Sequence, residues 1–412
     1  MRRVVITGMG VIAATGPSRE EFFSNLVAGR AAARRMENLD PAGVERLNCR
    51  IAAEVRGFQP GAHFAEKELD HLDRFAQFAL VAARQAMADA GLEGFNEEQQ
   101  PRVGVMIGTA YGGTETLDTN YFSLYAKNAT RLPPLVIPRL MYNAATCQIS
   151  MRLQARGPCL TPTTACSSGA HALGEALRVI QRGDADCMLA GGSDAPLTYG
   201  VIRAWEGMRV LAPAGDDPAR ACRPFSRDRL GIVIGEGAAV FVLEEYESAR
   251  QRGANILAEL AGYAANSDAS HITQPTVAGP AGAMRKALAD AKLNPDDIDY
   301  INAHGTATRV NDVMETKAIK EVFGERARKL PVSSSKSMHG HVMGASGAIE
   351  LVAAVEAMRR GVIPPTANYT EPDPECDLDY VPNQARQLPV RAALSNSFAF
   401  GGLNAVLVVK KV

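Results

Sequence analysis

Long hydrophobic runs are missing from this chain of 412 residues: nowhere do the roughly 18 consecutive apolar residues of a bilayer-spanning helix occur. An excess of charge of one sign is missing too. With 44 basic and 45 acidic residues the formal net charge is -1, so nothing global draws the chain to nucleic acid or to an anionic membrane, and an acidic partner must be met by a local patch. Paired cysteines are also absent. The 7 cysteines, at 49, 147, 159, 166, 187, 222 and 376, form no CxxC and no metal-finger spacing, which argues against a structural zinc and for reduced thiols in the cytoplasm. The amino terminus carries Arg2 and Arg3, but its apolar run breaks at Thr7-Gly8, so it reads as a first strand and not as a signal peptide. What is present, 46% hydrophobic and 22% charged residues, suits a soluble globular chain of two domains or one duplicated unit.

Val4 to Gly10 reads as a buried strand. Its Gly8-x-Gly10 suggests a dinucleotide fingerprint, yet the third position is Ala13 and no acidic residue closes a second strand, so the glycines are assigned to a tight turn. Ser18-x-x-Glu21 has the spacing of a capping box. Apolar residues at three and four predict a long helix from Asp70 to Ala90, and Arg102 to Thr109 a strand running into the glycine-rich turn Ala110-Tyr-Gly-Gly-Thr. Thr119 to Met141 reads as loop-rich, Asn143 to Leu153 as helix, Asp186 to Asp194 as a buried strand, and Pro196 to Arg229 as an irregular cap. A strand through Val240 and a helix from Glu247 to Gly253 follow.

The second half repeats the first. Met87-Ala-Asp-Ala-Gly-Leu returns as Leu288-Ala-Asp-Ala-Lys-Leu, Gly108-Thr109 as Gly305-Thr306, and Gly347 to Gly361 lies over Gly169 to Gly183 without gaps. A period this long means duplicated α/β units, not a solenoid, and places the boundary between residues 1–253 and 254–412. Two such halves commonly build one site between them.

Thr161-Pro-Thr-Thr-Ala-Cys166-Ser-Ser-Gly puts a thiol where a strand end turns into a helix, with small residues that let a substrate approach. Unpaired N–H groups and the helix dipole favour a thiolate there, although a lone cysteine is commonly a buried structural residue. Three other motifs stand beside it: Asn302-Ala-His304-Gly-Thr306-Ala-Thr308, Ser335-Lys336-Ser-Met-His339-Gly-His341 running to Glu350, and Phe398-Ala-Phe400-Gly-Gly-Leu403-Asn404. Each alone reads as structure. A nucleophile and two candidate bases at strand ends of one duplication point to catalysis; metal binding by His339 and His341 lacks further ligands at useful spacing.

These four ordered motifs resemble the β-ketoacyl-acyl-carrier-protein synthases, over the chain from Val4 to its end. The resemblance implies an α/β thiolase fold, a duplicated five-layered α-β-α-β-α sandwich, as a homodimer. It also implies a reaction. Cys166 takes an acyl group from a carrier protein's phosphopantetheine thioester, with the N–H groups of Cys166 and Phe400 holding the oxyanion. His304 and His341 then promote decarboxylation of the malonyl thioester, and Lys336, paired with Glu350, organises the site. Thr306 and Thr308 bind the pantetheine arm, Phe400 gates malonate entry, and no metal or redox cofactor is needed.

Two departures are specific to this chain. His339 stands where a hydroxyl residue is usual before Gly-His, and the last turn reads Ala-Phe-Gly-Gly-Leu in place of Gly-Phe-Gly-Gly-Thr. Both are expected beside the chamber, and they leave open a specialised ketosynthase of a polyketide, polyene or lipid-signal pathway in place of fatty acid elongation. A thiolase would need Cys376 as a second active-site cysteine, and a non-condensing chain-length subunit typically lacks the nucleophile. The acidic carrier protein calls for basic residues at the cleft mouth, with Lys67, Arg74, Lys127 and Arg131 as candidates.

Overall fold

The structure, a computed structural model, describes residues 1–412. Ten strands form one sheet: β1 (Val4–Ala13), β2 (Val103–Gly108), β3 (Cys159–Leu160), β4 (Cys187–Asp194), β5 (Gly237–Glu245), β6 (Ala258–Ser267), β7 (Tyr300–Asn302), β8 (Val332–Ser333), β9 (Ala392–Ala399) and β10 (Leu403–Lys410). Their order is β8-β7-β9-β10-β6-β1-β5-β4-β2-β3. Outward from the β6–β1 contact, each side runs through two antiparallel pairings and then two parallel ones. The duplication read from the sequence is therefore a duplication of topology.

Only Val5 and Ile6, paired with Glu259 and Ala258, join the two sides by strand pairing, so the sheet folds on itself there. Helices α1 (Arg74–Asp89) and α2 (Ala144–Leu153) cover one outer face, and α4 (Ala278–Ala291) and α5 (Arg309–Phe323) the other. Between the sheet halves lie α3 (Ser168–Arg182) and α6 (Ser346–Arg360), whose apolar residues share one core with Phe241 of β5 and Leu407 of β10. Alternation explains the layering: Val240 and Val242 face α1 while Phe241 and Leu243 face the centre, as successive strand side chains must. This is the five-layered thiolase arrangement. Burial on both faces is also why β5 and β10 read as continuous apolar runs.

α3 and α6 cross close to their amino ends. A Cβ on Gly169 would sit 3.3 Å from the Ala348 nitrogen, and one on Gly347 would sit 3.1 Å from the Ala170 nitrogen, so the two glycines let the helix starts touch. Both helices are 15 residues long and both end on a left-handed glycine, Gly183 and Gly361.

Three expectations fail. Gly8 and Gly10 make no turn but lie inside β1, where a Cβ would strike the carbonyl oxygens of Ala86 and Ala82, so they are small because α1 packs on the strand backbone. Thr119 to Met141 is not chiefly loop: helices Thr114–Ala126 and Val136–Leu140 occupy most of it, and the exposed aromatics Tyr121, Phe122 and Tyr125 hid the first from its apolar pattern. The cap from Pro196 likewise contains a helix, Tyr199–Met208, which carries the single tryptophan.

Candidate active site

The start of α3 is a short tight turn, Ala165–Ser167, with Ala165 at φ 50. A residue with a Cβ held there marks a constrained turn, and it presents Cys166 to the cavity at 7% exposure. Met343, at φ 46, makes the same turn before α6. Gly344 thus stands where Cys166 stands in the other half, so the duplication keeps one nucleophile. Burial pushes the Cys166 thiol up to about 12, outweighing the pull of Lys336 and of the Cys166 and Phe400 N–H groups directed at the sulfur. The helix start does not leave a standing thiolate, contrary to the expectation from its dipole. Desolvation of the anion outweighs the two N–H groups and the Lys336 charge, and the thiol is neutral at rest.

Cys166, His304, His341, Thr306, Thr308 and Phe400 all line one cavity of about 370 Å³. Its wall also takes in Trp205, Met208 and Val210 of the cap and the segment His271–Pro275, neither of which the motifs had suggested. A larger surface groove over α1 and α2 holds none of this chemistry.

His341 lies 3% exposed, and its Nδ1 accepts the Met343 N–H at 3.0 Å. That bond fixes the tautomer: Nδ1 bears no proton, so Nε2 does. The Lys336 ammonium stands 3.4 Å from Nδ1 of His304 and assigns the same tautomer there. Burial first, then the Lys336 charge, holds both imidazoles well below the usual histidine range. They are neutral donors at neutral pH.

Lys336 is wholly buried and bonded to the Glu350 carboxylate, and it donates to the His304 carbonyl at 2.6 Å. Burial raises Glu350 to about 7 against the lowering by Lys336. Thr306 and Thr308 hydroxyls are 2.9 Å apart, and Thr308 also caps α5 by accepting the Asn311 N–H. Phe400 stacks on Trp205 at 5.9 Å, and the Trp205 indole donates to the Tyr111 hydroxyl at 2.8 Å.

Two buried acids were not anticipated. Glu315 of α5 accepts the N–H groups of His304 and Gly305, each at 2.8 Å, and Asn396 at 3.0 Å, which locks the histidine turn. Its signal was faint: Asp312, Glu315 and Ile319 share one helix face, an acidic pair where apolar residues belong. Asp194, ending β4, binds the turn after β2 and Gly344.

His339 is fully buried, packs 6.1 Å from the Phe22 ring and bonds Ser335 at 3.0 Å, but it does not line the cavity. Leu403 does not line it either, whereas Ala399 does. Cys376 lies in the outer core with Tyr380 and Leu394, so the cavity lacks a thiolase's second cysteine.

The expected basic patch needs correction. Arg74 is no surface cation, because it forms a two-point ion pair with the buried Glu236 at 2.8 and 2.7 Å. Lys67 sits between Glu66 and Glu68 with Asp70 beyond, Lys127 lies over the Phe122 ring, and none of the four candidates lines the cavity. At the mouth stand Arg209, between lining residues Met208 and Val210, and Arg309, between Thr308 and Val310; both are exposed and neither forms an ion pair.

Known proteins are similar to this chain in sequence and in fold. Residues 1–249 match the N-terminal domain of β-ketoacyl synthases and residues 257–370 the C-terminal domain. The chain is 48% identical to Nodulation protein E of Rhizobium meliloti (strain 1021), covering 100% of both chains. It is 44% identical to 3-oxoacyl-[acyl-carrier-protein] synthase 2 of Staphylococcus aureus (strain COL), covering 100% of this chain and 98% of the other. Among solved structures, a type II polyketide ketosynthase in complex with its acyl-carrier protein superposes with a TM-score of 0.90 at 36% identity, covering 100% and 99%. With both domains matched and full-length relatives at this identity, the chain belongs to the β-ketoacyl synthase family.

Proposed function

We propose that this protein extends an acyl chain by decarboxylative condensation with a malonyl thioester. One observation carries the reading: a thiol met by two backbone N–H groups and two neutral imidazoles with Nε2–H free share one cavity.

In the first step the Cys166 sulfur attacks the acyl thioester, and the pantetheine thiol leaves with the cysteine's proton. The Cys166 and Phe400 N–H groups hold the tetrahedral oxyanion. In the second, His304 and His341 donate to the malonyl thioester oxygen. The bond to the carboxylate breaks, carbon dioxide leaves, and the electron pair forms an enolate whose carbon attacks the acyl group, expelling the cysteine thiolate. Because both imidazoles are already neutral and oriented, the cost of arranging them is met by folding. Thr306 and Thr308 hold the pantetheine arm and Lys336 with Glu350 supports His304. Phosphopantetheine arrives on the carrier protein, and no resident cofactor enters the scheme.

Arg209 and Arg309 are the assigned contacts for an acidic carrier protein. A second copy of the chain covers the open edge of β3, where Leu160 is 60% exposed. Residues 1–253 and 254–412 act as the two halves. Fatty acid elongation is the pathway best supported by the synthase relative. The nodulation and polyketide relatives, with His339 and Leu403, favour a specialised ketosynthase more weakly.

The test is to supply acyl carrier protein and carboxyl-labelled malonyl carrier protein. One labelled carbon dioxide for each acyl chain lengthened by two carbons supports the reading; label release without lengthening, or neither, overturns it.

A further inference from the structure

Asp194 is completely buried, and its carboxylate touches two distant segments at once. Toward the first half, Oδ1 accepts the Thr109 hydroxyl at 2.6 Å and the Tyr111 N–H at 3.0 Å, and Oδ2 accepts the Ala110 N–H at 2.9 Å. Toward the second, Oδ2 accepts the Gly344 N–H at 2.7 Å.

Each contact leads to a different reacting group. Gly344 follows Met343, whose N–H donates to Nδ1 of His341 and so keeps it unprotonated, with the Ser346 hydroxyl 3.0 Å from the same nitrogen. Tyr111 receives the Trp205 indole, Trp205 stacks on Phe400, and the Phe400 N–H points at the Cys166 sulfur. A Cβ at Gly344 would fall 2.7 Å from the Asp194 carboxylate and 2.5 Å from the Ala110 nitrogen, so the three segments are in direct contact.

We propose, on the ketosynthase reading above, that Asp194 is a positioning residue that aligns both half-reactions: one carboxylate sets the tautomer of His341 and the place of the Phe400 N–H. It touches no substrate. A carboxylate suits the task because it accepts four donors from two chain segments, which an amide cannot do.

Asp194→Asn keeps the shape and turns a donor toward Ala110 or Gly344. Condensation kcat should fall about 10- to 100-fold, the scale seen when an outer hydrogen-bond partner of a site is removed, with KM for malonyl carrier protein within about 2-fold. Thr109→Val removes one donor to Asp194, together with the acceptor of the Gly112 N–H, and leaves the charge, and a smaller loss in the same direction, about 3-fold, is expected. Nitrogen NMR of histidine-labelled protein supplies a readout that mere destabilisation would not move: the His341 tautomer should be pure Nε2–H in wild type and mixed in Asp194→Asn. An unchanged tautomer with unchanged kcat overturns the proposal. The tautomer measurement uses no substrate, so it stands or fails separately from the condensation itself; if Asp194→Asn does not fold, Thr109→Val must still show the graded kcat loss.

Discussion

The imidazole rings of His304 and His341 stand 5.6 Å apart, centroid to centroid, at 87° to one another. Each ring has its Nδ1 engaged from behind, by Lys336 or by the Met343 N–H, so two Nε2–H groups serve one cavity from different directions. Two such donors fit a single developing oxyanion better than a chain of proton transfers.

Replacing either histidine by alanine should therefore reduce malonyl decarboxylation about 100- to 1000-fold while acylation of Cys166 survives. Single-turnover acylation and labelled carbon dioxide release, measured on the same variants, separate the two. Equal loss of both steps would contradict the assignment.

The resting thiol should titrate late. With Cys166 raised to about 12 by burial, its alkylation rate by iodoacetamide should keep rising about tenfold per pH unit from pH 7 past pH 9, where an ordinary cysteine levels off. A plateau below pH 8 would mean a standing thiolate.

Lys336 and Glu350 form a wholly buried ion pair. Glu350→Gln should cost about 3 to 5 kcal/mol in denaturant unfolding, because it strands the ammonium, and adding Lys336→Met should restore most of it. The double variant still lacks the cation beside Nδ1 of His304, so its condensation rate should stay low although its stability returns.

His339 links pH to stability. Burial lowers it to about 3, so the fold disfavours its proton: the stabilisation is complete above the unfolded value near 6.5 and is lost as pH falls toward 3. Each unit of pH in that window costs about 1.4 kcal/mol for this group. His339→Leu should lower the slope of unfolding free energy against pH between 6 and 4 by about 1.4 kcal/mol per pH unit, with the buried His304 and His341 still contributing theirs, and change the condensation rate less than about 3-fold, since the ring lies outside the cavity.

Much of this site was legible because its chemistry is concentrated in short motifs: Cys166, His304, Lys336 and His341 sit at strand ends or helix starts, where spacing and residue type carry the signal. Asp194 and Glu315 were not, because each acts on backbone N–H groups that any sequence supplies, and the Asp194 partner Gly344 lies 150 residues along the chain. Gly8 and Gly10 show the same limit. A glycine needed for a helix passing over a strand looks in sequence like one needed for a turn. Arg74 misled because a charged residue in the first turn of a helix reads as surface, and only the fold brings Glu236 to it.

The most direct measurement of the central claim is the mass of the protein after mixing with acyl carrier protein alone, followed by peptide mapping. The account predicts one acyl group per chain, on the peptide containing Cys166, lost again when malonyl carrier protein is added and absent in Cys166→Ala. An acyl group on another residue, or one that malonyl carrier protein does not discharge, would contradict it.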